Sequence, residues 1–316
     1  MVVKDQLYGE YKIDSEVIKE LVRSKPLQRL KKIAQYGIPA EFYHLVSFSR
    51  FDHSVGTMLL LKKFGASEEE QIAGLLHDVS HTAFSHLVDW FVGSGATEDF
   101  QDRQHKEFIE KSDVSRILKK HKLSPKRISE HENFSLLEQP IPRLCADRLD
   151  YALKEFPREI ARKCLNGLIV YKGRFAFKTE ESAFLFGKYF LKQQKEHWGG
   201  DEAVVRYTIL AKTIKHAMKR GIISFKDFWE YDEFILGKLR KADDDFIQGN
   251  LRTLRKRSLK NFPRGSKILK KKFRYVDPDV IINDHITRLS TISGRFRSQI
   301  EAAKIQNKKG IKIPRL

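Results

Sequence analysis

Cysteine is nearly absent: Cys145 and Cys164 are the only two in 316 residues. Two cysteines make neither a disulfide framework nor zinc-finger ligand pairs, and they fit a reducing, cytoplasmic setting. Long apolar runs are missing too. The longest, such as Met58-Leu59-Leu60-Leu61, fall far short of the about 20 residues a bilayer requires, so no membrane role is expected. The opening MVVKDQLYGE lacks a charged-then-apolar leader pattern. No Gly-x-Ser-x-Gly elbow occurs, which argues against a serine hydrolase. Neither a Walker phosphate loop nor a Gly-x-Gly-x-x-Gly nucleotide turn is present.

Charge is plentiful and unevenly placed. The chain holds 60 Lys/Arg against 41 Asp/Glu, a net charge of +19. Residues 1–160 carry 24 basic and 25 acidic side chains, a net −1, and residues 161–316 carry 36 and 16, a net +20. Residues 251–275 hold eleven Lys/Arg and no acid, with Phe262, Phe273 and Tyr275 interleaved. Such a field attracts polyanions, nucleotides or nucleic acid, and the rings offer stacking groups. A solvated face is the blander reading of a charge run. Hydrophobic residues make up 41% and are spaced periodically, so the chain can bury a sizeable core.

The spacing predicts a mainly helical fold. Ile13, Val17, Ile18, Leu21 and Val22 mark a helix over 13–24, stopped by Pro26. Leu27, Leu30 and Ile33 mark another, stopped at Gly37. A third runs from His53 to about Gly65. Ser67 and Glu70 match a capping box that starts a fourth, running into IAGLLHDV. Residues 83–92 and 143–156 read as further helices, with charged helical segments between them. Residues 167–178 read as a hairpin turning at Lys172-Gly173, and 181–220 return to helix. In 270–282 Pro278 allows at best an edge strand, and KIQNKKGIKIPRL reads as a flexible or edge-pairing tail. The division expected is a catalytic core over 1–165, a hairpin and helices completing it over 166–250, and a basic C-terminal region over 251–316.

Residues 48–86 carry four histidines, His53, His77, His81 and His86, together with the adjacent pair His77-Asp78. Neutral imidazoles and carboxylates suit a divalent ion such as Mn, Fe, Ni, Zn or Mg. His77 and Asp78 stand about 100° apart around a helix, so both can lean toward one point. With His53 from the preceding helix they make three ligands. A fourth on another helix, for which Asp147 is the candidate, leaves positions for water and a phosphate oxygen. A single His-Asp dipeptide would fit a hydrogen-bonded structural pair as well. The two further histidines within ten residues favour a site.

The ordered set DQLYG (5–9), LQRLKKIAQYG (27–37), RFDHSVG (50–56), HDVSHTAFSH (77–86), QHKEF (104–108) and DRLDYAL (147–153) resembles the HD superfamily of phosphohydrolases. Within it the likeness is to the deoxynucleoside triphosphate triphosphohydrolase branch. GIISFKDFWEYDEF (221–234) and RYVDPDV (274–280) are more loosely similar. The resemblance implies an HD-domain helical core with a smaller α+β C-terminal region. It implies one divalent ion held by His53, His77, Asp78 and Asp147. It places Arg50, His81 and Arg148 on phosphate, His86 beside the scissile phosphorus, and His105 with Asp89 as a catalytic pair. Tyr151 and Glu155 would hold the sugar, and Gln35 would read its 3′-hydroxyl. Arginines can donate to phosphate oxygens, and a histidine of near-neutral pKa can protonate a leaving oxygen. Two positions depart from the pattern. Ser80 stands where glycine is usual, and Tyr36 stands where a leucine helps exclude a 2′-hydroxyl.

The activity implied is release of triphosphate from a (deoxy)nucleoside triphosphate. A nucleic-acid-binding protein, or a phosphodiesterase acting on cyclic or oligonucleotide substrates, is the alternative. Homo-oligomerisation, with an effector nucleotide at the basic C-terminal region, is the partner expectation the resemblance brings.

Overall fold

Ser49 caps the helix on which the molecule is assembled, Arg50–Lys63. Its Oγ accepts the Asp52 N–H at 3.1 Å while the Asp52 carboxylate accepts the Ser49 N–H at 2.9 Å, so the capping box is complete. The computed structural model describes residues 1–43, 45, 47–92, 98–269 and 272–315. In chain order it contains strands β1 (Val2–Asp5) and β2 (Gly9–Lys12), then α1 (Glu16–Arg23), α2 (Lys25–Leu30), α3 (Arg50–Lys63) and α4 (Glu68–Leu76). There follow α5 (Leu87–Val92), α6 (Phe100–Lys111), α7 (Asp113–Lys120), α8 (Pro125–Ser129), α9 (Ala146–Glu155) and α10 (Arg158–Gly167). The hairpin β3 (Leu168–Tyr171) and β4 (Arg174–Phe177) precedes α11 (Glu180–Gln193), α12 (Asp201–Lys219), α13 (Asp232–Lys241) and α14 (Asp245–Leu254). Strands β5 (Arg264–Leu269), β6 (Asp279–Ile282) and β7 (His285–Arg288), helices α15 (Leu289–Ile292) and α16 (Gly294–Lys309), and β8 (Ile311–Pro314) close the chain. The fold is mainly α with small sheets. No described helix is long and apolar enough to cross a membrane.

Every residue of α3 from His53 to Leu61 is buried, as expected of a helix wrapped on all sides. It packs on α4 across a short loop and on α9. Two glycines make these approaches possible. A Cβ on Gly74 of α4 would stand 2.4 Å from Leu61 Cδ1, and one on Gly56 of α3 would stand 2.2 Å from Asp150 Oδ1. One apolar core joins α1–α4, α7, α9–α11 and the sheet. A second gathers α12–α14 around Ile38, Phe42, Phe84 and Leu87.

Several expectations are corrected. Pro26 does not stop α1; the break falls at Ser24, and Pro26 occupies the first turn of α2, where its missing N–H is no loss. No helix reaches Gly37. After Leu30 the chain pairs instead with the start of α3: Gln35 N–H donates to Phe48 O and Arg50 N–H to Ile33 O, both at 2.9 Å. Only half of the second capping box forms. Ser67 Oγ accepts the Glu70 N–H, but the Glu70 carboxylate accepts the N–H groups of Leu136 and Leu137 at 2.7 and 3.1 Å. Residues 83–86 are not helical, because Phe84 and Ser85 sit at φ +61° and +49°.

The β3–β4 hairpin forms as read, with Lys172 and Gly173 both at positive φ, as a two-residue primed turn demands. The stretch after Pro278 is no edge strand. In the sheet order β3-β4-β6-β7, β6 pairs parallel to β4 and antiparallel to β7. Pro278 precedes the strand and costs it no ladder bond. Lys270 and Lys271 lie outside the described residues. In the tail, Lys304–Lys309 belongs to α16, and β8 pairs antiparallel with β5.

Candidate metal centre and active-site cavity

Three elements converge on one point. α3 supplies His53, the C-terminal end of α4 supplies His77 and Asp78, and the first turn of α9 supplies Asp147. His53 Nε2 lies 2.9 Å from Asp147 Oδ1 and 3.1 Å from His77 Nε2. One donor atom from each of His53, His77 and Asp147 falls within 4.8 Å of the other two. Asp78 approaches the same point, 3.7 Å from both His53 Nε2 and His77 Nε2. Its carboxylate is also held by Arg50 Nη1 at 2.6 Å and His81 Nε2 at 3.1 Å.

The far sides of the rings fix their orientation. His77 Nδ1 donates to the Gly74 carbonyl and His53 Nδ1 to the Asp150 carboxylate, each at 2.7 Å. With both rings neutral, the Nε2 lone pairs would face one point shared with a carboxylate, which suits a divalent ion, so the residues present fit one. Without an ion a proton takes that place: burial pulls the His77 ring down, but Asp78 and Asp147 outweigh it and hold it at about 9. Burial opposes ionisation of Asp147, yet His53 and His77 hold its carboxyl well below the usual range.

This group opens on a cavity of about 290 Å³. Arg50, Arg148, Lys272 and Arg274 line it. Each arginine meets a lining carboxylate: Arg50 on Asp78, Arg148 Nη2 on Glu138 at 3.1 Å, and Arg274 on Glu98. Tyr36, Tyr151, Trp198 and Tyr207 supply aromatic wall. Glu155 accepts from His197 Nδ1 at 2.7 Å and Trp198 Nε1 at 2.8 Å, both on a π-helical turn, Gln194–Trp198. Such turns recur at functional sites.

The model of the HD domain matches residues 50–153, which span all four candidate ligands. The chain is 36% identical to the uncharacterized protein YdhJ of Bacillus subtilis (strain 168), over 99% of this chain and 98% of that one. The chain belongs to the HD-domain family. It is a metal-dependent phosphohydrolase, and His53, His77 and Asp147 form a group able to hold the ion. It is also 29% identical to the metal-dependent phosphohydrolase cns2 of the fungus Cordyceps militaris, over 74% of this chain and 71% of that one. A deoxynucleoside triphosphate triphosphohydrolase SAMHD1 homolog of Dictyostelium discoideum is 29% identical over 31% of this chain and 22% of its own. The crystal structure of a phosphohydrolase (BT4208) from Bacteroides thetaiotaomicron has the same fold, with a TM-score of 0.69 at 18% identity over 96% of this chain and 97% of that one.

The fold brings most sequence-predicted residues to the cavity. Gln35, Arg50, His81, His86, Arg148, Tyr151 and Glu155 all line it. Burial and Arg50 push His81 down to about 3, so that ring is neutral. Among the described residues, the Gln35 Oε1 atom is buried without a hydrogen-bond partner. Glu155 is tied to His197 and Trp198 rather than lying on a solvated face. His105 and Asp89 are not brought together. Asp89 lies 3.4 Å from His86 Nδ1 and accepts the Phe100 N–H, whereas His105 bonds Ser80 and His131 and does not line the cavity. Ser80 Oγ stands 3.1 Å from His105 Nδ1. Ser80 keeps a negative φ, so the absence of glycine costs nothing there.

Sequence reasoning missed Asp150, His131, Lys272 and Arg274. Asp150 follows Asp147 by three residues, a helical spacing that puts both on one face. Lys272 and Arg274 alternate with Phe273 and Tyr275, a period-two signal for one shared face. Phe273 and Tyr275 stack on each other at 5.2 Å, and Phe262 packs against the second core. His131 carries no local signal.

Proposed function

We propose that this phosphohydrolase acts on nucleotides, and that it releases triphosphate from a (deoxy)nucleoside triphosphate to leave a nucleoside. The observation that carries the reading is the gathering of Arg50, Arg148, Lys272 and Arg274 around one cavity with the metal group. A polyphosphate tail of several negative charges needs several donors, and arginine offers paired ones. When bound, a divalent ion on His53, His77, Asp78 and Asp147 supplies charge neutralisation at a phosphate oxygen and activation of water. Arg50 and Arg148 bind phosphate oxygens, exchanging their carboxylate partners for the substrate. His81, neutral, binds a further oxygen. His86 gives a proton to the leaving 5′-oxygen, with Asp89 orienting its ring. Gln35 Oε1 accepts a sugar hydroxyl, and Tyr151 and Glu155 border the sugar.

A second reading is favoured by the ion pairs themselves. Asp78, Glu138 and Glu98 already neutralise three of the four cations. That balance suits a phosphomonoester better than a triphosphate. A panel of nucleoside mono- and triphosphates with separate metals, read by chromatography of the phosphate species, decides. Triphosphate plus nucleoside supports the first reading. Orthophosphate from monophosphates alone supports the second, and a folded, metal-loaded sample inert toward all of them ends both.

A further inference from the structure

A chain of hydrogen bonds runs from the metal-binding segment to a histidine with no role so far. Gln101 Nε2 donates to the His77 carbonyl at 2.8 Å and to Ser80 Oγ at 2.9 Å. A carbonyl only accepts, so the amide group, not the oxygen, of Gln101 stands there, and both its hydrogens are used. Ser80 is fully buried and has one proton to place. Its other described side-chain partner is His105 Nδ1 at 3.1 Å, so the hydroxyl donates to that nitrogen. His105 then carries its proton on Nε2, which lies 3.1 Å from His131 Nε2. That bond needs a lone pair on His131 Nε2 and leaves the proton of a neutral His131 on Nδ1. His131 Nδ1 has no hydrogen-bond partner among the described residues, and the ring lines the cavity.

We propose that His131 is a substrate-binding residue, locked by Gln101, Ser80 and His105 into the Nδ1–H form so that it offers a hydrogen bond to a phosphate oxygen in the cavity. Ser80, Gln101 and His105 are positioning residues; they act only through His131. The arrangement depends on the Ser80 hydroxyl, which links Gln101 to His105. Burial and the neighbouring His77 push His131 down to about 4, and burial and His131 hold His105 well below its ordinary value. Both rings thus stay neutral across the physiological range, and the donor is a fixed N–H rather than a titrating acid. The proposal rests on the cavity being the phosphate site.

Two measurements on the full-length, metal-loaded protein test it. The first is the histidine tautomer spectrum by long-range proton–nitrogen NMR with ¹⁵N-histidine, with and without inorganic phosphate. His131 is expected as the Nδ1–H tautomer and His105 as the Nε2–H tautomer, with the His131 Nδ1–H signal moving when phosphate is added. Ser80→Gly is expected to release His105 and leave His131 a mixture of tautomers. The second is kinetics: His131→Ala should raise KM about 10- to 100-fold, the loss of one hydrogen bond to a charged group, with a smaller change in kcat. Ser80→Gly should raise KM by less. An Nε2–H or doubly protonated His131 in the parent protein overturns the proposal, even if His131→Ala fails to fold. An unchanged KM in folded His131→Ala overturns it as well. If the parent protein hydrolyses no nucleotide while phosphate still moves the His131 signal, the nucleotide reading falls and the donor assignment stands.

Discussion

Gly56 on α3 leaves the space that the Asp150 carboxylate of α9 fills; a Cβ there would stand 2.2 Å from Asp150 Oδ1 and 2.2 Å from Lys154 Nζ. Asp150 is fully buried and uses its other oxygen on His53 Nδ1, 2.7 Å away, and on Lys154 Nζ, 3.2 Å away. Lys154 in turn meets Asp5, at the end of β1, at 3.3 Å. The N-terminal hairpin is thereby tied to the His53 ring of the candidate metal group through three charged side chains.

Gly56→Ala should therefore disturb the metal group and not merely the packing. Overfilling a tight helix crossing costs about 1–3 kcal/mol. A lower urea midpoint together with weaker metal binding by calorimetry is the expected pair of results. A loss of stability with metal affinity unchanged would show that α9 shifts without carrying His53.

Asp150→Asn keeps the shape and removes the charge that aligns His53. Loss of such a partner typically lowers metal affinity or activity about 10- to 100-fold. Metal titration of the folded variant checks this. Asp150→Ala should do worse, since it leaves Lys154 facing a void.

Removing the metal should abolish phosphohydrolase activity and lower the melting temperature. A ligand bound only by the folded state stabilises it by mass action. A chelator titration followed by calorimetry, with re-addition of single divalent ions, measures both effects. His77→Ala should show little bound metal by elemental analysis and no thermal response to the chelator.

Asp232 holds the turn beneath Arg50. Its carboxylate accepts the Phe84 N–H at 2.7 Å and the Ala34 N–H at 2.9 Å, in the region where Phe84 and Ser85 take positive φ. Ser85 Oγ in turn accepts from Arg50 Nε at 2.9 Å. Asp232→Ala leaves two backbone donors without partners and should cost about 2–6 kcal/mol by urea unfolding, at about 1–3 kcal/mol per group. Through Ser85 it should also raise KM for the phosphorylated substrate.

Much of the candidate metal group was legible in the residues. His53, His77, Asp78 and Asp147 could be singled out as candidates because metal chemistry restricts ligands to few residue types, because helical spacing of apolar residues places α3, α4 and α9, and because the ordered motifs resemble the HD superfamily. The β3–β4 turn was legible because Lys172-Gly173 sits between two β-type runs. Where local signals failed, a distant partner had won. Residues 31–37 keep a helical pattern, yet the chain pairs with Phe48 and Arg50. Glu70 matches a capping box, yet its carboxylate leaves for Leu136 and Leu137.

Residue types and their short-range spacing were enough for the mainly helical class and the concentration of positive charge in the second half, and with the family resemblance they singled out the candidate ligand set. Packing alone brought Lys272 and Arg274 to the cavity, set Asp150 behind His53, and turned His105 toward His131 rather than Asp89. Those outcomes depend on hydrogen bonds and ion pairs between residues far apart in the chain, and their energies exist only once the helices have met.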